Sequence, residues 1–88
     1  MTLQTDQNNN LYCNIVPVTI INTTINRLYL TINDNLINTA MLIYRLSIED
    51  LLFLTSSMQF TGNDYINWSG DNETIFNYVA NQLNLTLI

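Results

Sequence analysis

Apolar residues recur at every second position through the middle of this chain and take up helical spacing only near its end. Between Thr24 and Ile32, Leu28, Leu30 and Ile32 fall on one face, and Arg27, Tyr29 and Thr31 on the other. That period of two is the signature of a half-buried strand. Leu11 to Ile21 is rich in β-branched residues and reads as a strand before it. Pro17 has no N–H to give to a ladder, so it places this strand at an edge or marks a bulge. Asn22-Thr23 and Asn33-Asp34-Asn35 read as turns, because Asn and Asp tolerate left-handed backbone and hydrogen-bond locally.

Leu36 to Ile48 is apolar on both alternating sets. Ala40, Leu42, Tyr44, Leu46 and Ile48 alternate with Thr39, Met41, Ile43, Arg45 and Ser47. The β-branched and aromatic content favours a strand. The alternative is a buried helix from Asn38 to Leu54. Glu49-Asp50 reads as a turn. Leu51 to Thr55 and Met58 to Thr61 are short apolar runs, forming a hairpin or one bent strand. Tyr65 to Trp68 is expected as a short irregular or single-turn segment. Asp71 is a good N-cap, with Glu73 near the positive helix end. Ile75, Phe76, Val79, Ala80 and Leu83 then share one face, predicting an amphipathic helix over about residues 72–84. Leu85 to Ile88 is an apolar tail that pairs as a last strand or tucks under the sheet.

These elements make a small α+β fold: an antiparallel sheet of four to five strands with one C-terminal amphipathic helix packed on one face. Residues 1–10, polar and ending in Asn8-Asn9-Asn10, read as a flexible or partner-ordered arm. Residues 11–88 form a single domain. The registers leave Tyr29, Met41 and Ile43 on the sheet face away from the helix, which a partner would cover.

Composition sharpens this picture. Charged residues are 10% of the 88, against roughly 25% in ordinary domains, and none is Lys or His. Fifteen Asn and eleven Thr do the polar work. Two Arg residues cannot displace many phosphate counterions, which argues against nucleic acid and against an anionic membrane surface. No apolar run approaches the roughly 20 residues of a membrane span, and residues 1–10 do not read as a signal peptide. A chain this short buries only about 60–65% of its unfolded surface, so disulfides, metals or partners usually assist it. Cys13 is the sole cysteine, and no ligand set for zinc exists. Partners are left as the expected source of help, and the lack of a signal peptide or apolar span sets the expectation of a cytoplasmic location if the chain is not in a virion.

Candidate chemistry is sparse. Cys13 has no His to activate it and reads as a small apolar residue. The acid pairs Glu49-Asp50 and Asp71/Glu73 sit at element ends, where acids serve turns and caps. Asp64 and Asp71 do not match the spacing of a calcium loop. Four N-x-S/T triplets, at Asn22, Asn67, Asn72 and Asn84, follow from the abundance of those residues. No catalytic, metal or cofactor site is expected. Tyr65 and Trp68, with Asn63, Asp64 and Asn67 around them, are the one local aromatic cluster. It caps the core, anchors a protein interface or stacks a sugar ring.

The run Gly62-Asn63-Asp64-Tyr65-Ile66-Asn67-Trp68, the helix after it and the ending Asn84-Leu85-Thr86-Leu87-Ile88 resemble small structural proteins of tailed bacteriophages, of fibre, decoration or collar type. The Asn-, Ile- and Thr-rich, Lys-free composition is similar too. The resemblance covers about the last 30 residues and implies a virion component. The expectation is therefore a non-enzymatic structural subunit that contacts other protein subunits through strand edges and a sheet face. Pro17, Tyr29, Met41, Ile43, Tyr65 and Trp68 are its candidate interface residues. The edge would be the Pro17 strand or the N-terminal arm. The alternatives are a module reading glycan or host protein through Tyr65 and Trp68, and a small acidic inhibitor of a host enzyme.

Overall fold

The computed structural model describes residues 1–49 and 51–88. Five strands run in chain order across one antiparallel sheet: β1 (Leu3–Thr5), β2 (Leu11–Ile20), β3 (Thr23–Asp34), β4 (Thr39–Ile48) and β5 (Leu51–Thr61). Two helices follow, α1 (Gly62–Ile66) and α2 (Asn72–Leu83). The small α+β architecture read from the periodicity is the one found.

Each strand connection holds at least one residue at positive φ: Asn9, Ile21 and Asn22, Leu36, and Glu49. Ile21 and Asn22, both at positive φ, close the two-residue β2–β3 hairpin; two such positions in succession are what this tight connection requires. The β3–β4 loop is tied by Asn35, whose Oδ1 accepts from the backbone N–H groups of Ile37, Asn38 and Thr39. Leu36–Ile48 is a strand over Thr39–Ile48, which removes the helical alternative for residues 38–54. Leu51 to Thr61 is one continuous strand rather than a hairpin, bulged where Leu46/Leu54 pairing shifts to Ser47/Leu52. Glu49 forms the β4–β5 turn, and Asp50 lies outside the described residues.

The core lies between the sheet and α2. Cys13, Ile25, Leu28, Ala40 and Leu42 on the sheet, and Ile75, Phe76 and Val79 on the helix, have no exposed surface. Asp71 caps α2 as expected, its carboxylate accepting from the Thr74 N–H at 3.0 Å. Asn84 at φ 57° ends the helix, and its left-handed turn sends Leu85–Ile88 back toward β2.

That return decides the state of one sheet edge. β1 pairs with Leu11–Cys13 of β2. Beyond it the tail takes over: the Val16 N–H donates to Thr86 O, the Ile88 N–H donates to Asn14 O, and Ile15 bridges Leu87. Pro17, which has no N–H, follows in a bulge between the Asn14/Arg27 and Val18/Ile25 pairs. The strand carrying Pro17 is thus an inner strand, and the bulge branch of the expectation holds. The N-terminal segment, read as an arm, itself supplies β1 and a turn in which Asp6 accepts from the backbone of Asn8 and Asn10.

Candidate functional site

The far edge of the sheet is different. Among the described residues nothing pairs with the outer side of β5, an eleven-residue strand with no charge, no Pro and no Gly. Free edges are normally protected by charge, Pro, bulges or brevity; β5 has one bulge near its start and none of the others. At its start Leu51 and Leu52 are 69% and 56% exposed, and Ile48 across the turn and Leu54 one bulge later are partly uncovered as well. Register places Leu51 opposite Ile48 and Leu54 opposite Leu46 on one face, and Leu52 opposite Ser47 on the other. Ile48, Leu51 and Leu54 thus form an exposed apolar patch beside the open ladder.

The sheet face opposite α2 has its own order. Tyr12, Tyr29 and Arg45 occupy one transverse row, set by the Tyr12/Tyr29 and Tyr29/Arg45 pairs. The two tyrosine rings are 5.0 Å apart. Arg27 lies over Tyr12 at 4.5 Å, and Arg45 over Tyr29 at 5.5 Å, so two guanidinium groups enclose an aromatic pair. Arg27 donates to the Tyr29 hydroxyl at 3.3 Å and pairs with Glu49 at 3.2 Å. Asn26 also holds Glu49, by its amide and by accepting the Glu49 N–H. With the Asp6–Asn10 turn on one side and Leu52 on the other, these residues line a cleft of about 540 Å³.

The expected interface residues are distributed unevenly over this geometry. Met41 and Ile43 lie on the face away from α2, Met41 well exposed and Ile43 half-buried. Tyr29 shares that face but is 5% exposed, covered by Arg45 and flanked by Tyr12. Pro17 is exposed on the inner strand β2. Trp68 packs edge-on against Phe60 at 5.7 Å and donates its indole N–H to Asp71 O at 2.8 Å. The Tyr65 hydroxyl donates to Asp34 at 2.6 Å, which pushes its own ionisation up. Both aromatics also border a shallow pocket with Ile37 and Gly70. Cys13 is fully buried, and burial pushes its thiol up, away from the reactive thiolate.

The sequence reading missed β5 as the open edge and missed the pairing of both arginines. The signals were present: an uncharged run from Leu51 to Asn63, and Arg27 and Arg45 on the same alternating set as Tyr29. The register that joins them is a long-range property. No family model matches the chain, and neither a curated protein nor a solved structure matches it.

Proposed function

We propose that this chain is a non-enzymatic structural subunit that joins a larger protein assembly by pairing β5 with a strand of a neighbouring subunit. The observation that carries the reading is the asymmetry of the two edges. On the other side β1 covers Leu11–Cys13 and the tail covers Asn14–Val16, whereas β5 offers eleven residues of uncharged backbone with no outer partner among the described residues, beside Leu51 and Leu54. Strand addition supplies affinity through main-chain hydrogen bonds and specificity through alternate side chains. The docking edge is β5, in place of the Pro17 strand or the N-terminal arm expected from sequence. The setting is a virion component, which is what the resemblance to tailed-phage structural proteins implies.

Recognition of a glycan or host protein through Tyr65 and Trp68 has less to work with. Their O–H and N–H donors are already engaged by Asp34 and Asp71, and a sugar site needs such groups to fix orientation. Hydrogen exchange at low and high protein concentration tests the proposal. Alternate β5 amides, those facing outward, are expected to become protected at high concentration. Fast exchange of the same amides at every concentration would contradict it.

A further inference from the structure

The centre of β5 has the same character read from either end. Around Ser56 the strand runs Leu54-Thr55-Ser56-Ser57-Met58: apolar, hydroxyl, serine, hydroxyl, apolar. A two-fold contact joins one patch to itself, so it requires a self-complementary patch of this kind. Antiparallel pairing of two such strands, with Ser56 opposite Ser56, sets Leu54 against Met58 and Thr55 against Ser57 on both sides of the axis. Apolar pairs and hydroxyl pairs across neighbouring strands stabilise a sheet. Moving the axis to Thr55 would set Leu54 against Ser56, and moving it to Ser57 would set Met58 against Ser56, so Ser56 is the register in which like meets like.

The rows also continue into each sheet. Leu54 lies opposite Leu46 and Met58 opposite Leu42 within one copy, and Leu46 and Leu42 are buried in the core. The paired edges would therefore carry one apolar row, Leu46, Leu54, Met58, Leu42, from one core to the other. Leu54, Thr55, Ser56 and Ser57 are all exposed, so the centre of the strand is uncovered on both faces. A net charge of −5 makes two copies repel, and β5 is a stretch where no charge opposes contact. An uncharged edge likewise gives a basic or acidic partner strand nothing to match.

We infer that the neighbour on β5 is a second copy of this chain, its β5 antiparallel to the first about a two-fold axis at Ser56. The inference rests on edge pairing by β5 and adds the partner and the register. Its test is air oxidation of the whole chain carrying single cysteine substitutions; Cys13 is fully buried and takes no part. Directly opposed Cα atoms are about 4.5–5.5 Å apart, within disulfide reach. Ser56→Cys is expected to form a covalent dimer about tenfold faster or more than Gln59→Cys, whose copies would stand about 20 Å apart along the strands. Thr55→Cys and Ser57→Cys should link to each other when mixed, and only slowly when each is alone. Added salt should favour the dimer by screening the net charge. Equal linking at Ser56→Cys and Gln59→Cys, no link in the mixture, or a dimer weakened by salt would overturn the inference. If the wild type assembles with its outward β5 amides protected while Ser56→Cys does not link, the two-fold fails and edge pairing stands. If the chain neither assembles nor links, both fail.

Discussion

Ile21 shows what a single residue contributes and costs. It occupies a left-handed position at φ 48° in the β2–β3 hairpin and is 86% exposed. A β-branched side chain in that region carries strain of about 1–2 kcal/mol, with no burial to offset it. Ile21→Asn is therefore expected to raise stability by about 1 kcal/mol, seen as a higher urea midpoint with an unchanged slope. A lower midpoint would show that the isoleucine is stabilised by contacts its exposure does not suggest. Titration gives a second test at this scale. The Thr74 hydroxyl and N–H, with the Ser69 hydroxyl, hold the Asp71 carboxyl below its ordinary value. A depressed folded value contributes stability above the unfolded pKa, about 4, and loses it as pH falls through the folded value. Tyr65 runs the other way: its bond to Asp34 raises it, so its contribution is intact below about pH 10 and lost as pH rises through the folded value. The urea midpoint should fall at both extremes. Asp71→Asn should soften the acid limb and Tyr65→Phe the alkaline one.

At the scale of elements, strands and helix depend on different kinds of information. α2 was legible almost to the residue because its cap, its Ile75, Phe76, Val79 stripe and its stop at Asn84 are all local. Thr24 to Ile32 was legible for the same reason, since alternation is read within one segment. β1 was not, because Leu3–Thr5 is a strand only by virtue of Leu11–Cys13 beside it. The bent β5 was ambiguous, because polar Ser56 and Ser57 break the apolar pattern without breaking the ladder with Tyr44 and Ile43. Phe76, fully buried between α2 and the sheet, sets the cost of losing the helix face. Phe76→Ala should destabilise by about 3–5 kcal/mol, a large share of a small domain's stability, and denaturant titration would measure it. The tail makes a prediction of its own. Removing residues 86–88 frees the Val16 N–H and Asn14 O, so β2 amides 14–16 should exchange faster while those of β4 change little.

For the whole molecule, what matters is which surfaces the fold leaves open. A chain without Lys has little with which to charge a sheet edge. How much of the outer side of β2 is covered depended on the tail returning to Asn14–Val16, and no local pattern encodes that. The second sheet face was expected to be apolar through Tyr29, Met41 and Ile43. Its β2–β4 end is an aromatic and guanidinium layer instead, because Arg27 and Arg45 fold over the tyrosines. The outer edge of β5 is the surface through which the proposed assembly would form. The most direct test of the account is the solution mass of the chain, by light scattering on a size-exclusion column over a range of concentrations, beside a Ser56→Lys, Ser57→Lys variant. Both serines are exposed in the middle of β5, and lysine there blocks edge pairing without touching the core. The account predicts a wild-type mass that is a multiple of 10.2 kDa and a folded variant at 10.2 kDa. A wild type that stays at 10.2 kDa at every concentration, or a variant that assembles as well as the wild type, would contradict it.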